Sequence, residues 1–513
     1  MISTKIEAIA VSCLNRLEDL DDQALQSSVN SPQTPQLLTS ASVGNDIKGN
    51  ETDCDCACSN TPFAIAIINP QDTSFSALPD TYTIPLRQGY QLAFSPFAPA
   101  GPSVLNPAAW QRYQIFHQKP QPLKETIDHE LAQQNLLVPT GHQPQIQPAS
   151  PDQLTAWLHV TNACNLDCPY CYVRKSSAHM SLETGLNAIE NLFAAAHRQN
   201  FSQLKLKYAG GEATLHFSLI QRLHERAMEL AQKTGLALRE VVLSNGVALT
   251  PAMVNWFEAT QVRLMISLDG LGAVHDRQRP NKGGGTSFSQ VMHTLEKLIQ
   301  PRQIDLHLSV TVTGASAPYL SELVQWILSH DWPFSLNFYR QTPLSADHKE
   351  LELEESAMIA GMQAAYRVIE QAIEQPTAPS LLSRSLVNGL LDKVQSQAHT
   401  HTCGVGQTYA VITHTGQIAQ CQMQLNQPVS DDLDSYQLLP ALAHGPIQNL
   451  SVQEKSECQT CTYRYRCTGG CPVETFRVTG RWDVKSPNCA IYKTLYPELL
   501  RLEGLRLLKF HGC

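Results

Sequence analysis

The sequence predicts an α/β protein: a partial (β/α)6 TIM-like barrel with a loop-rich, cysteine-rich C-terminal domain and a small N-terminal α+β region. Three observations predict this class. Between residues 151 and 375, strand-like apolar runs alternate with stretches of helical periodicity. From about residue 400 the alternation gives way to loops dense in Cys, Gly and Pro. Residues 62–150 hold only short strand-like and helical segments.

Residues 1–61 are the first predicted segment, mostly disordered and of low complexity, because Ser, Asn, Gln and Thr dominate it. Residues 62–150 are predicted to be a small module followed by a Pro- and Gln-rich linker. In that module, FAIAIIN and YQLAF have the pattern of strands and AAWQRYQIFHQ that of a helix. Its role is open, and recognition of a peptide by strand addition is one interpretation.

The barrel domain is predicted to span residues 151–375. Six segments have strand character: AWLHVT, LKLKYA, REVVLS, VRLMIS, LHLSVTV and FSLNFY. Helical stretches follow most of them, at 181–198, 216–233, 251–259, 287–299, 318–329 and 354–374. Repeated strand–helix units imply parallel strands joined by helical crossovers. In such barrels the chemistry lies at the carboxyl ends of the strands.

The composition excludes several classes of partner. The formal net charge is −9 and the isoelectric point about 6.0, so nothing indicates a nucleic acid or an anionic membrane. No apolar run approaches the ~20 residues of a membrane span. The N-terminus also lacks the features of a secretory signal, so we expect a cytoplasmic protein. Structural disulfides are disfavoured there, and the 15 cysteines therefore indicate metal binding or chemistry.

Three cysteines follow the first predicted barrel strand, in the segment AWLHVTNACNLDCPYCYVRK. Cys164, Cys168 and Cys171 have the spacing C-x-x-x-C-x-x-C, and thiolates suit both iron–sulfur clusters and zinc. Three ligands in one loop can hold three corners of a four-iron cube and leave one iron open. Zinc is the alternative, but a closed structural zinc site has four ligands and no fourth Cys lies close by in sequence.

This spacing, with an aromatic residue before the last cysteine, resembles that of the radical S-adenosylmethionine (SAM) superfamily. The aromatic residue here is Tyr170, and Tyr172 follows the last cysteine. At the end of the second predicted strand, Gly210, Gly211 and Glu212 resemble the element that contacts the SAM amino group in that family. Glycine permits close backbone approach. Such a triplet alone is more often a turn, but its place after the cysteine motif favours the cofactor role.

The resemblance extends over residues 155–375. Asn245 lies in a Ser-Asn-Gly sequence that ends the third strand, as in relatives. Ser267 ends the fourth strand and Arg279 follows it; in similar enzymes such a serine and arginine hold the SAM carboxylate. A guanidinium fork suits a carboxylate, although a surface-loop arginine is the alternative for Arg279.

The resemblance also implies cofactors and a reaction. A [4Fe-4S] cluster on the cysteine triad would chelate SAM through its open iron. An electron donor of the flavodoxin or ferredoxin type would reduce the cluster, and SAM would be cleaved to a 5′-deoxyadenosyl radical that abstracts hydrogen from the substrate. The cofactor supplies that chemistry, whereas the protein supplies orientation and a dry site.

A second group of cysteines lies between residues 403 and 489. Two zinc ribbons are one interpretation, although a gap of five residues is short for a ribbon. The spacing resembles the SPASM domain, an extension of radical SAM maturases that usually holds two auxiliary four-iron clusters. The resemblance assigns residues 400–495 to that domain and leaves 496–513 as a C-terminal tail. It places an outer cluster on Cys458, Cys461, Cys467 and Cys489, and an inner one on Cys403, Cys421 and Cys471.

Two departures from the SPASM pattern concern the inner cluster. The fuller motif has an eighth cysteine, and none lies between Cys403 and Cys421. The remaining iron could be open to a substrate thiolate, or take His414 or a distant cysteine as ligand. Sulfatase-maturating relatives carry an Asp, a candidate general base, after the cysteine that corresponds to Cys421. Gln422 stands there instead, and an amide cannot accept a proton at a useful pKa.

The N-terminal cysteines have no assigned function. Cys54, Cys56 and Cys58 could form half of a metal site or a redox handle, but the flanking Asp53 and Asp55 would raise the thiol pKa values and disfavour reactivity. The remaining assignments are structural: Cys13 as a small apolar residue, Cys513 as a free thiol, His159 as a core residue and His275 as a neighbour of the SAM pocket.

These features predict a radical SAM/SPASM oxidoreductase that modifies a peptide or protein side chain. Resemblance favours a maturase of a ribosomally made peptide. An anaerobic sulfatase-type maturase is the first alternative, weakened by Gln422. A non-catalytic metal-binding scaffold or electron carrier is the second, and it would have no need of an open cluster or of Arg279 as a carboxylate clamp.

Overall fold

The computed structural model describes residues 34–39, 63–65, 74–99, 101–142, 144, 146–148 and 150–511. The described residues form two compact units: those within Met1–Asn45, Ile67–Pro144 and Gly504–Cys513 in the first, and those within Asp46–Ala66 and Gln145–Glu503 in the second. The predictions for Cys13, Cys54, Cys56, Cys58 and Cys513, and most of the predicted disordered segment, lie outside the described residues. No described helix has the length and apolarity that a membrane crossing requires.

The elements are numbered in chain order. The strands are β1 (Leu37–Thr39), β2 (Phe63–Ile65), β3 (Phe75–Ala77), β4 (Tyr82–Pro85), β5 (Gln91–Phe94), β6 (Ser103–Leu105), β7 (Leu137–Pro139), β8 (Ile146–Pro148), β9 (Gln153–Thr161), β10 (Gln203–Gly210), β11 (Ala237–Ser244), β12 (Arg263–Ser267), β13 (Leu306–Val312), β14 (Phe334–Phe338), β15 (Tyr409–Ile412) and β16 (Ile418–Ala419). The helices are α1 (Pro107–Gln118), α2 (Thr126–Gln133), α3 (Leu182–Arg198), α4 (Phe217–Thr234), α5 (Pro251–Thr260), α6 (Ala273–Gln278), α7 (Phe288–His293), α8 (Leu320–Ser329), α9 (Glu355–Glu374), α10 (Leu438–Ala443), α11 (Arg464–Cys467), α12 (Pro472–Thr479) and α13 (Cys489–His511).

The first unit combines an antiparallel sheet of order β1-β6-β5-β4, the pair β3-β7 and the helices α1 and α2. Asn106 caps α1 by accepting a hydrogen bond from the Ala109 amide at 2.9 Å, and Pro107 occupies the first helical turn. Arg112 of α1 donates two hydrogen bonds of 2.7 Å to the fully buried carboxylate of Asp128 on α2. The predicted strand YQLAF is β5, and the predicted helix is α1.

The second unit is built on one eight-stranded sheet of order β14-β13-β12-β11-β10-β9-β15-β16. All pairs from β9 to β14 are parallel, β15 also runs parallel to β9, and β16 is antiparallel to β15. The six predicted strands are therefore neighbours in chain order, and the predicted α/β class with a mostly parallel sheet is confirmed. Parallel strands place their carboxyl ends at one edge of the sheet, where the motifs lie.

Helices follow these strands as the periodicity predicts, and local signals set their ends. Ser181 caps α3 and Thr250 caps α5 through side-chain oxygens, and Gly235 ends α4 in the left-handed region at a φ of 75°. The predicted helix 287–299 is α7, continued by a π-helical segment, Thr294–Ile299.

The C-terminal region differs from the sequence expectation in two respects. Strands β15 and β16 extend the main sheet, so part of the expected C-terminal domain belongs to the same layer as the barrel strands. The residues expected to be a tail continue α13 as far as His511. Ile491, Leu495, Leu499 and Leu502 are buried at helical spacing, and this apolar stripe stabilises the helix.

Candidate functional site

The cysteine triad lies in the loop that leaves the carboxyl end of β9. The Leu166 amide donates to Cys164 Sγ at 3.4 Å, and the Cys171 amide donates to the Cys168 carbonyl at 3.2 Å. The three thiols lie within one another's electrostatic field. Burial raises the pKa of Cys164 and raises that of Cys168 to about 12. The loop thus brings together the three residues that the spacing singled out.

Gly210 and Gly211 allow the end of β10 to pack closely against this loop and the end of β9. The Gly211 amide donates to the Thr161 carbonyl at 2.7 Å, and the Glu212 amide donates to the Ala163 carbonyl at 2.8 Å. A Cβ on Gly210 would lie 2.4 Å from the Thr161 carbonyl oxygen, and a Cβ on Gly211 would lie 2.4 Å from that of Ala163. The glycines are therefore required by the packing of the strand on the cysteine loop, whatever they contribute to a cofactor.

The buried carboxylate of Glu212 ties together the ends of two strands. Its Oε1 accepts hydrogen bonds from the Thr214 amide at 3.1 Å, the Thr214 hydroxyl at 2.5 Å and the Ser244 hydroxyl at 2.9 Å. Its Oε2 accepts from the Asn245 amide at 2.7 Å. A carboxylate oxygen has about two acceptor positions. Oε2 is consequently the atom with capacity for one more donor, such as an ammonium.

Asn245 links this carboxylate to the cysteine loop. Its side-chain amide donates to Asn165 Oδ1 at 2.7 Å and lies 3.9 Å from Cys164 Sγ. Its Oδ1 accepts from the Val247 amide at 2.9 Å, which fixes the orientation of the side chain. The predicted cofactor residue thus borders the triad directly.

Arg279 lies in a buried network with Tyr170 and Asp269. Arg279 Nη1 donates to the Tyr170 hydroxyl, which donates in turn to Asp269 Oδ2, and Arg279 Nη1 lies 3.2 Å from the same oxygen. Asp269 Oδ1 accepts from the Thr311 amide at 2.8 Å. Arg279 Nε is buried and has no hydrogen-bond partner among the described residues. An unused guanidinium donor beside the triad fits a carboxylate ligand, and Arg279 is not a surface-loop residue.

Asp269 is a site residue that the sequence analysis did not single out. It stands two residues after Ser267, the last residue of β12, and both precede the loop that carries Arg279. Its amide donates to His275 Nδ1 at 3.4 Å, so His275 supports the same turn. An acidic residue just beyond the fourth strand was the available signal, because a buried arginine needs a carboxylate partner.

The three inner cysteines are buried together on one face of the sheet. Cys403 and Cys421 are each 7% exposed and Cys471 is 8% exposed, and they share one apolar cluster with Trp157 of β9 and Tyr409 of β15. Burial raises the pKa of Cys403 and raises that of Cys421 to about 12. Tyr172, which follows the triad, packs against the same cluster. The predicted inner group is therefore assembled, and one aromatic residue connects it to the triad.

Gln422 points toward the inner group. Its Oε1 accepts a hydrogen bond from the Tyr409 hydroxyl at 2.8 Å and lies 3.6 Å from Cys421 Sγ. The ring of His414, the proposed alternative ligand, lies against that of His159 on β9, with the two centroids 6.2 Å apart. His159 in turn bonds Asn162 Oδ1 through Nε2 at 2.7 Å.

The four outer cysteines line a single pocket. The Cys461 amide donates to the Cys458 carbonyl at 3.0 Å, and the thiols of Cys458, Cys461, Cys467 and Cys489 lie within one another's electrostatic field. Burial raises the pKa of Cys458 to about 11 and that of Cys467 to about 12. The pocket is also lined by Val394, Tyr463, Arg464, Lys485, Tyr492 and Tyr496.

The donor sets suit iron–sulfur clusters, because every grouped ligand is a thiol. Within the described part of the chain, no three His, Cys, Asp or Glu side chains converge closely enough to hold one metal ion. A zinc ribbon needs four ligands around a single ion. In a four-iron cluster each cysteine thiolate binds a different iron, so the cysteine sulfurs lie farther apart than they do around a single zinc ion.

Comparison with known proteins identifies the central domain. Residues 158–320 match the Radical SAM superfamily. The chain carries a radical SAM domain. The matched stretch begins in β9 and includes the cysteine triad, Glu212 and Arg279.

Several relatives share parts of the chain. An uncharacterized protein of Methanocaldococcus jannaschii is 27% identical over 195 residues, which are 38% of this chain and 65%, just under two thirds, of that protein. The serine-type anaerobic sulfatase-maturating enzyme of Klebsiella aerogenes is 23% identical over 332 residues, 61% of this chain and 77% of that enzyme. The sporulation killing factor maturation protein SkfB of Bacillus subtilis is 28% identical over 176 residues, 34% of this chain and 39% of SkfB.

A solved structure shares the fold. Native anSMEcpe with bound AdoMet superimposes with a TM-score of 0.56 at 16% identity, over 68% of this chain and 99% of that one. The radical SAM family uses a [4Fe-4S] cluster and SAM, so the expected cofactors and the enzyme class are confirmed at the level of the family. The individual ligands and the number of auxiliary clusters stay predictions.

Proposed function

We propose that this radical SAM enzyme modifies a peptide or protein side chain, and that it holds two auxiliary clusters besides the one at the triad. The observation that supports this most strongly is the separation of the described cysteines into three groups. One group lies in the loop after β9, one is buried on a face of the sheet and one lines a pocket. An electron carrier without catalysis would not need the first group.

The triad and its neighbours would bind the cofactors. When bound, a reduced cluster and SAM supply a 5′-deoxyadenosyl radical for hydrogen abstraction. Cys164, Cys168 and Cys171 would hold that cluster. Glu212 would accept the SAM ammonium at Oε2, the oxygen with remaining acceptor capacity. Arg279 would donate its unused Nε hydrogen to the SAM carboxylate.

Other predicted residues would shape this site. Ser267 ends β12 and would share the SAM carboxylate with Arg279. Tyr170 holds the guanidinium in place through its hydroxyl, and the buried Asp269 compensates the positive charge. Tyr172 would close the space between the triad and the inner thiols and so exclude water from the reacting atoms.

The auxiliary thiols would hold the remaining clusters, the outer one on four cysteines and the inner one on three. The inner group would have an iron without a cysteine ligand, open to a substrate atom. Gln422 and Tyr409 would border that position. The reductant would be an electron carrier of the flavodoxin or ferredoxin type.

A peptide substrate is supported by the names of the relatives, which include a sulfatase-maturating enzyme and a killing-factor maturation protein. In the first unit, β4 forms an edge of its sheet, and its residues alternate between half-buried and exposed. An edge strand can capture an extended peptide through main-chain hydrogen bonds. The unit would therefore recognise the leader of a peptide substrate.

Sulfatase-type maturation is the second candidate, because enzymes of that name are among the relatives. Its expected base would occupy the position of Gln422, whose amide bonds Tyr409 and cannot take a proton. We therefore favour formation of a bond within a peptide over formation of formylglycine.

The test compares two peptides under the same anaerobic conditions with SAM and dithionite. One is a short Cys- or aromatic-rich peptide encoded beside the gene, and the other is a sulfatase-type peptide with a target Cys or Ser. We expect the first peptide to lose two hydrogens in mass spectrometry and the second to form no trappable aldehyde. Aldehyde from the unaltered enzyme would reject the assignment, and the Gln422→Asp variant shows whether a carboxylate alone introduces that activity.

A further inference from the structure

A buried lysine lies between the two groups of auxiliary thiols. Lys455 follows the short helical turn Val452–Glu454 and is 1% exposed. Its ammonium donates to the Thr468 carbonyl at 2.8 Å. A Cβ on Gly469 would lie 2.7 Å from Lys455 Cδ and 3.4 Å from Cys458 Sγ, so a side chain there would displace the lysine stem. The hydrogen bond to Thr468 and the packing at Gly469 thus hold Lys455 beside the outer thiols.

The segment that joins the two groups also surrounds this ammonium. Cys467 of the outer group and Cys471 of the inner group are separated by three residues, all with φ between 47° and 80°. The carbonyl of Thr468, which accepts from Lys455, also accepts from the Thr402 hydroxyl at 3.2 Å. Thr402 precedes the inner Cys403. These hydrogen bonds therefore connect Lys455 to the segment between Cys467 and Cys471 and, through Thr402, to the residue before Cys403.

The charge of Lys455 acts on both groups. Burial lowers the pKa of Lys455, whereas Cys458 and Cys467 of the outer group and Cys403 and Cys471 of the inner group, when ionised, raise it. A buried ammonium is costly unless negative charge lies close by. Thiolates that hold iron clusters supply that negative charge at both sites.

We propose that Lys455 is a counter-charge shared by the two auxiliary clusters, and that it raises the reduction potential of both. The inference rests on the proposed cluster assignment. Reduction adds one electron to a cluster, and a fixed positive charge in a low-dielectric interior stabilises the added negative charge. One residue would thereby keep both potentials high enough for the clusters to accept an electron.

Lys393 provides a matched control. It is also buried, at 8% exposure, and it lies in the electrostatic field of Cys403 and Cys421, both in the inner group. Lys393→Met should lower the potential of the inner cluster alone. Lys455→Met should lower the potentials of both clusters, and Lys455→Arg, which keeps the charge, should restore both toward their original values.

The experiment is a redox titration followed by electron paramagnetic resonance on the full-length, reconstituted protein. The triad is replaced by Ala in every sample, so that only auxiliary signals remain. Lys455→Gln accompanies Lys455→Met, since its amide keeps a donor near Thr468 without the charge. Two signals that both shift to lower potential would support the proposal. Unchanged potentials, a shift of one signal alone, or an equal shift in Lys455→Arg would overturn it.

Iron content distinguishes the other outcomes. If the parent protein shows fewer than two auxiliary signals, the cluster assignment is rejected, and this proposal is rejected with it. If neither neutral variant retains auxiliary iron but Lys455→Arg does, the positive charge is required to hold the clusters, which supports the proposal. Equal loss of iron from Lys455→Arg would indicate a packing role and reject it.

Discussion

Substitution of Gly211 tests the packing of β10 on the cysteine loop. In Gly211→Ala the new Cβ would lie 2.4 Å from the Ala163 carbonyl oxygen, whereas ordinary contact begins at 3.4 Å. The neighbouring atom is backbone, so strand and loop must separate by about 1 Å. That movement would break the hydrogen bonds from the Gly211 amide to Thr161 and from the Glu212 amide to Ala163, now 2.7 and 2.8 Å.

The expected cost is large. Overpacking costs ~1–3 kcal/mol and each lost backbone hydrogen bond about 1 kcal/mol, so the native conformation of the cysteine loop should be destabilised by about 3–5 kcal/mol. Since 1.4 kcal/mol is tenfold in an equilibrium constant, the affinity of the triad for its cluster should fall by about a hundredfold or more. Auxiliary iron should be unaffected, because those thiols lie in other segments.

The assay is anaerobic reconstitution followed by iron analysis and quantification of 5′-deoxyadenosine. Gly211→Ala should lose about four irons per chain and its SAM cleavage. Gly185→Ala is the control: its Cβ would meet only side-chain atoms, at 2.8 Å from Leu223 Cδ2, in the interior of α3. It should keep both properties. Full iron and normal cleavage in Gly211→Ala would refute the packing argument.

Three further outcomes follow from the structure. Arg279→Lys should weaken SAM binding by about tenfold or more, because an ammonium cannot keep both the Tyr170–Asp269 contacts and a donor for the SAM carboxylate; unchanged affinity in calorimetry would reject that role. Cys461→Ala should lose about four irons while SAM cleavage persists, and loss of zinc instead of iron would reject the outer cluster. Burial lowers the pKa values of four histidines below the unfolded value of about 6.5: His159, His275 and His399 to about 4, and His307 to about 3. The unfolded chain therefore binds more protons than the folded one at acid pH, and the thermal midpoint should fall as the pH is lowered from about 6.5 toward 4. A midpoint that stays level over this range would contradict the burial of these side chains.

The local sequence signals were sufficient for most of the sheet. Apolar runs with strand character located β9 to β14, and helical periodicity located the helices that follow most of them. The cysteine spacing and the Gly-Gly-Glu element then located the site at the carboxyl ends of the strands. Each of these signals depends on residues that are close together in the chain, so each can be recognised from the sequence alone.

Long-range contacts could not be predicted in the same way. The pairing of β15 with β9 joins residues more than 240 positions apart, and a four-residue strand carries no information about its partner. The contacts of Asp269 with Tyr170 and of Lys455 with Thr468 depend on how loops fold back. The steric need for Gly211 likewise becomes visible only when the opposing Ala163 carbonyl is in place.

The measurement that tests the central claim most directly is a parallel count of iron, sulfide and zinc in the reconstituted protein, with 5′-deoxyadenosine quantified after addition of dithionite and SAM. The unaltered chain should bind about twelve irons and cleave SAM. Replacement of Cys164, Cys168 and Cys171 by Ala should leave about eight irons and abolish cleavage. Bound zinc with little iron, or cleavage that survives loss of the triad, would contradict the account.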